Sequence, residues 1–194
     1  GSSDLGVEAC PVHVEVDVSF GFPAFTMVGL PDASVRESRD RVRSAMRNSG
    51  FEFPAHRITV NLAPADVRKA GASFDLPIAL GILAAQGVVE RREISDCVLL
   101  GELLLDGSIH AIRGVLPIAA AARRTGASAI LLPSPNAGEA AIVSGLNVFA
   151  VSSLADAVRA LNNPSAPARP TPPAPSAETA VPDLSEVRGQ LLAR

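Results

Sequence analysis

Lysine is almost absent, for Lys69 is the one lysine among 194 residues. A nucleotide-binding P-loop needs a lysine after a glycine-rich turn to reach the β- and γ-phosphates. The surroundings of Lys69, ADVRKAGAS, contain no G-x-x-x-x-G-K-[ST] pattern, so the sequence predicts no ATP hydrolysis by this chain. Cysteine is nearly as scarce. Cys10 and Cys97 make no disulfide framework and lack metal-ligand spacing, which leaves a reduced pair of small core residues as the expectation. His13, His56 and His110 are scattered, with no cysteine or acidic cluster beside them, and read as surface or strand residues rather than ligands. An excess of positive charge is also missing: the formal net charge is -3, which excludes a general affinity for polyanions and confines any nucleic-acid contact to a local patch. No run reaches the ~20 apolar residues that span a membrane. The longest, residues 76–89, is interrupted by Pro77, Gln86 and Gly87, and no basic-then-apolar leader opens the sequence. The expectation is a cytoplasmic chain without a membrane partner.

What is present suffices for one domain of roughly 150 residues with a real core, plus extra chain. The organising stretch is 57–83, RITVNLAPADVRKAGASFDLPIALGIL, whose periodicity changes halfway along. Ile58, Val60 and Leu62 alternate with Thr59 and Asn61, the pattern of a half-buried strand, and Pro64 ends it. Residues 66–73 form a polar loop. A buried helix follows, with Asp75 as its expected cap, Pro77 in the first turn, and Leu76, Ile78, Ala79, Leu80, Ile82 and Leu83 apolar all round. A polar loop between a core strand and a core helix is a place where chemistry could be done.

Upstream, Val12, Val14, Val16 and Val18 alternate with polar residues as a strand with one wet face, and residues 25–30 form a second strand. A helix then starts at Pro31 and Asp32, capped by Asp32 or Ser34, and stops at Asn48, Ser49 and Gly50. Val35, Val42, Ala45 and Met46 line one side of it. At 100° per residue Arg36, Arg39, Arg43 and Arg47 fall on an arc of about 80° beside that stripe, making a basic ridge. The ridge has two readings: a surface for phosphates or another subunit, or a solvated face held by pairs such as Arg36 with Asp40 and Glu37 with Arg41.

Downstream, residues 97–105 are an apolar run, and Asp106 and Gly107 signal a hairpin into 108–112. Glu102 lies within the run. A carboxylate there pairs with an arginine such as Arg113 or lies on a wet sheet face. A helix over 114–125, a buried strand over 129–132, a short helix over 137–143, a strand over 148–151 and a helix over 154–161 complete the pattern. Alternating strands and helices predict an α/β fold with a mixed sheet, parallel in its second half and antiparallel at the hairpin. From 164 to 182 the composition turns to Pro, Ala, Ser and Thr, which predicts a disordered, extended linker.

The stretch 57–83, together with GLPDASVRESRDRV at 29–42, LGELLLDGSI at 100–109, RGVLPIAAAA at 113–122 and VRGQ at 187–190, resembles the N-terminal domain of the bacterial Mg-chelatase-like AAA+ proteins, the ComM/YifB family. That domain is itself similar to the proteolytic domain of Lon and the C-terminal domain of RadA. The resemblance implies a Lon-like domain over 4–163, the linker over 164–182, and the start of a truncated AAA+ module over 183–194. It also implies that ATP and Mg2+ belong to that missing module, with no cofactor in this chain, and that the full-length protein is a homo-hexamer acting on DNA in branch migration and natural transformation. Arg36, Arg39, Arg43, Arg47, Arg68 and Lys69 are the DNA-binding candidates.

By the same resemblance the Lon nucleophile falls at Ser73. A serine nucleophile needs a neutral base within reach, which Lon takes from a lysine on the helix after the hairpin. That position falls near Leu116, which cannot accept a proton, and Lys69 lies in the same solvated loop as Ser73. Asp75 stands where Lon has a glycine. Ser73 is therefore expected to be vestigial and the domain non-catalytic, a scaffold and DNA guide. The alternative is a protease-derived module that binds peptide or protein without cutting.

Overall fold

A computed structural model describes residues 12–64 and 71–163. The expectations for Cys10, Arg68, Lys69, the linker over 164–182 and the segment 183–194 lie outside these residues.

Three strands form the first sheet: β1 (His13–Ser19), β2 (Ala24–Val28) and β3 (Arg57–Ala63), in the order β1-β3-β2. The alternation in β3 sends Ile58, Val60 and Leu62 into the core, which is why this strand sits in the middle. It runs antiparallel to β1 and parallel to β2. The parallel pair is an addition to the sequence reading, which placed such pairing only in the second half. Its crossover is α1 (Asp32–Asn48), long enough to return the chain to the same edge.

The N-cap of α1 is neither Asp32 nor Ser34. Pro31 holds the N-cap position in an extended conformation, and no side chain accepts a hydrogen bond there, so proline geometry sets the start. Asp75 is likewise not a cap. It opens α2 (Asp75–Ala85), after a 3-10 turn over Gly71–Phe74, but its side chain is fully buried and turned to α1. The apolar side chains of α2 are buried as expected: Leu76, Ile78, Ala79, Leu80, Ile82 and Leu83 have no exposure.

The second sheet is parallel, β4 (Cys97–Leu99), β7 (Ala129–Pro133) and β8 (Asn147–Val151), with β7 central and buried on both faces. The short helix α3 (Arg91–Ser95) leads into it. Between β4 and β7 the hairpin β5 (Glu102–Leu103) and β6 (Ile109–His110) turns at Asp106 and Gly107 as predicted. The Asp106 carboxylate accepts hydrogen bonds from the Ser108 amide at 2.9 Å and hydroxyl at 2.6 Å. Glu102 is exposed on β5 and forms no ion pair with Arg113, so its place in the apolar run is a wet sheet face. Helices α4 (Val115–Arg124) and α5 (Ala137–Ala140) cover one face of this sheet through Val115, Ala119, Ile130, Leu132 and Ala140. The other face, with Leu131 and Phe149, joins α6 (Leu154–Asn162), α1, α2 and the first sheet in one core.

In that core, α2 lies close against β1. A Cβ placed on Gly81 would stand 2.5 Å from Val16 Cγ2, on a β-branched side chain with little freedom to turn away. Gly81→Ala gains up to about 1 kcal/mol of helix propensity but overpacks the core at about 1–3 kcal/mol. The expected urea midpoint is lower than wild type, and adding Val16→Ala should make the two losses less than additive. A stabilised Gly81→Ala protein would contradict this packing.

Candidate functional site

Helix α1 sorts its five arginines by direction. Arg41 turns inward. Its Nε donates to Asp75 Oδ2 at 2.5 Å and its Nη2 to Oδ1 at 3.4 Å, while the Ser38 hydroxyl donates to Oδ1 at 2.6 Å. Asp75 and Ser38 are fully buried, and the Arg41 side chain keeps 28% of its exposure. Burial pushes the Asp75 carboxyl above its ordinary value, and the hydrogen bonds from Arg41 and Ser38 pull it part of the way back. The hydrogen bond to Asp75 raises Arg41 in turn, against the smaller effect of its own burial.

The other four arginines face outward, as the ridge requires. Arg36, Arg43 and Arg47 are exposed and Arg39 is half-buried. The Arg43 guanidinium lies over the Phe53 ring at 5.9 Å from its centroid. One predicted local pair forms, Arg41 with Glu37 at 3.7 Å. The other does not: Asp40 is held by Arg39 at 3.0 Å, leaving Arg36 without an ion pair to any described residue. Sequence reasoning missed Arg41 and Ser38. The signal was available, because Ser38 falls inside the apolar stripe and Arg41 lies about 160° from the centre of the ridge.

Ser73 is exposed in the 3-10 turn that precedes α2. Leu116, at the position of the Lon base, is a 41% exposed leucine on α4. The carboxylate nearest Ser73 in sequence, Asp75, is committed to Arg41 and Ser38. Burial raises the Cys97 thiol to about 12, so it carries no thiolate at neutral pH. His13, His56 and His110 are exposed, and among the described residues no group of three His, Cys, Asp or Glu side chains could hold a metal ion. A cleft of about 320 Å³ opens beside Asp96, Ser128 and Asn147, at the amino ends of β4, β7 and β8. Ligands of open α/β sheets bind at the opposite, carboxyl ends.

The family description "Subunit ChlI of Mg-chelatase" matches residues 14–136, more than half of the chain and every element of the Arg41 and Asp75 cluster. The chain belongs to this Mg-chelatase-like family. Competence protein ComM of Haemophilus influenzae is 44% identical over 160 residues, covering 82% of this chain and 31% of that protein. The uncharacterized protein YifB of Escherichia coli is 41% identical over 186 residues, covering 96% of this chain and 37% of that protein. Lon protease 2 of Bacillus subtilis is more distant, 28% identical over 136 residues, covering 65% of this chain and 24% of that protein. This Mg-chelatase-like chain thus spans about a third of the length of its ComM and YifB relatives. No helix among its described residues is long and apolar enough to cross a membrane.

The ion pair makes an asymmetric prediction. Arg41→Met leaves a buried carboxylate with Ser38 alone and should cost about 3–5 kcal/mol at neutral pH. Asp75→Asn leaves a guanidinium that can turn to water and should cost less, about 1–3 kcal/mol. The pH dependence separates them further. Burial already holds the folded Asp75 above its unfolded value, and losing Arg41 removes the largest opposing effect. The stability from a raised carboxyl is fully present below its unfolded pKa of about 4 and lost as pH rises through the folded value. Arg41→Met should therefore recover stability relative to wild type between pH 7 and 4, while Asp75→Asn should not. Urea midpoints across this range give the answer, and parallel profiles for the two variants would mean that Asp75 does not carry the charge.

Proposed function

We propose that this domain is a non-catalytic scaffold and DNA-guiding face of a larger AAA+ ATPase that processes DNA during natural transformation. The observation that carries the reading is the sorting of the α1 arginines. One is spent on fixing the helix, and Arg36, Arg39, Arg43 and Arg47 are left on its outer side. The name of the Haemophilus relative, a competence protein, supports the setting. The lack of a base at Leu116 and the commitment of Asp75 to α1 support a non-catalytic role, with Ser73 vestigial.

ATP does not fit the residues present, since Lys69 stands outside any P-loop pattern. ATP and Mg2+ are accordingly assigned to a motor module in the parent protein, which would be a cytoplasmic homo-hexamer. Arg68 and Lys69, beside Ser73 in sequence, extend the candidate DNA contacts. A single ridge neutralises few phosphates, and six copies in a ring would multiply those contacts by effective concentration.

Arg39→Ala combined with Arg43→Ala in the parent protein should weaken DNA binding. It should also flatten the dependence of log K on log salt by about two units, near 0.9 for each phosphate that is no longer neutralised. The surface pair of Arg39 with Asp40 is a weak competitor for phosphate. Affinity and slope that both stay at wild-type values would reduce the ridge to a solvated helix face. Collapse of ATP turnover without DNA would make the arginines subunit contacts. Salt-independent capture of unfolded peptide would favour the protease-derived binding module instead.

A further inference from the structure

Phe20 and Phe22, in the turn between β1 and β2, are 94% and 89% exposed. One such ring in water is unremarkable, but two separated by a single residue form an apolar tip. Gly21 between them has φ 149, a conformation that glycine adopts without strain. The Phe20 ring meets the exposed His56 imidazole edge to face, with centroids 5.2 Å apart. Arg57 adjoins His56, is also exposed, and is the register partner of Ser19; its Nε lies 3.9 Å from where a Cβ on Gly21 would stand. Two phenyl rings, an imidazole and a guanidinium thus share one corner of the first sheet.

That corner is joined to the arginine ridge. Three residues before His56 stands Phe53, the ring beneath the Arg43 guanidinium, and three residues reach at most about 10 Å. From Arg43 to Arg57 the bases are Arg43, Arg47 and Arg57 against the single acid Glu52. In a chain of net charge -3 this stretch carries more base than acid beside exposed aromatic rings, with the exposed Asp17 on the neighbouring strand β1 as a counter-charge. Single-stranded nucleic acid is bound by that combination: guanidinium groups follow the phosphates, and bases stack on rings with little regard to sequence. A duplex keeps its base faces stacked within itself and can offer only phosphates. A second copy of this chain seated on the tip by two-fold symmetry would bring the same arginines together.

We propose that Phe20 and Phe22 form a base-stacking site that captures single-stranded DNA next to the arginine face of α1. The site rests on the DNA-guiding reading above and gives it a strand preference.

The chain contains no tryptophan and no tyrosine, so Phe22→Trp installs a single fluorescent reporter. Titration of the full chain with oligo(dT) should quench its emission, whereas a duplex of the same length should not. Phe20→Ala combined with Phe22→Ala should weaken oligo(dT) binding by at least about five- to hundredfold, the range for loss of a single stacked base, and leave duplex binding unchanged. Arg39→Ala with Arg43→Ala should weaken both. Because neither ring is in the core, the urea midpoint of the phenylalanine variant should match wild type. An unquenched tryptophan, with oligo(dT) affinity retained in the phenylalanine variant, overturns the stacking site. It leaves DNA guiding intact if the arginine variant still loses binding. Failure of the unmodified chain to bind oligo(dT) overturns the stacking site, while the DNA-guiding reading stands or falls on the arginine variant of the parent protein. Equal loss of single-stranded and duplex binding, or a phenylalanine-dependent affinity for anionic phospholipid vesicles or for a second copy, overturns it in favour of a general contact surface.

Discussion

The ion pair between Arg41 and Asp75 is the constraint on which the arrangement of the first half depends. Helix α2 is apolar nearly all round, with Leu76, Ile78, Ala79, Leu80, Ile82 and Leu83 buried and only the small residues Pro77, Gly81, Ala84 and Ala85 partly exposed, so hydrophobicity alone specifies its rotation weakly. Asp75 at its first position specifies it further. A fully buried carboxylate must find its donors, and only the rotation that meets Ser38 and Arg41 provides them. The attraction within such a pair is largely offset by desolvation, whereas leaving one partner alone in the core is costly. The same contact fixes α1. With Arg41 facing Asp75, the helical period places Arg36, Arg39, Arg43 and Arg47 on the outer side, where their charge is available to a partner. The exposed Glu102 on β5 adds its negative field to both members of the pair, which ties the hairpin to the same cluster.

In the region that the Lon resemblance marks as chemical, the acid at the head of α2 is taken up by packing. Ser73 stands in the turn before α2, and the acid two residues later is a core ion-pair partner. Proton transfer needs a group whose charged and neutral forms are both accessible near neutral pH. Leu116 offers no such group, and Asp75 is engaged at both oxygens by donors from α1. Packing α1 against α2 by way of Asp75 and running general-base chemistry through it are competing demands on one carboxylate.

Legibility in the sequence followed the strength of local patterns. The alternation of β3, the apolar circumference of α2 and the Asp106 and Gly107 turn each encode burial or chain reversal within a few residues, and each was read with its position nearly right. The parallel pairing of β2 with β3 was not read, because alternation says which face is buried and nothing of the neighbouring strand. Both expected helix caps failed for one reason. Asp and Ser near a helix start are read as local acceptors, but Asp75 gains more from a distant guanidinium, and Pro31 starts α1 without a side-chain acceptor. The ridge was legible as an arc and its partners were not. Spacing puts Asp40 within reach of both Arg36 and Arg39, and the pairing with Arg39 turns on side-chain geometry that spacing does not encode.

Charge and shape bear differently on a nucleic-acid role. With a net charge of -3 the chain has no long-range attraction for a polyanion, so encounter depends on where its arginines stand rather than on how many there are. Four lie along α1, and Arg57 extends the line past Phe53 to the exposed phenylalanines. Phosphate contacts alone are indifferent to strand number, whereas rings in water discriminate, since only an unpaired base has a face to offer. A surface with both has weak affinity for any one segment of DNA and a preference for places where the duplex is open. In the ring proposed for the parent protein, repetition would raise the affinity while the preference of each copy stayed unchanged.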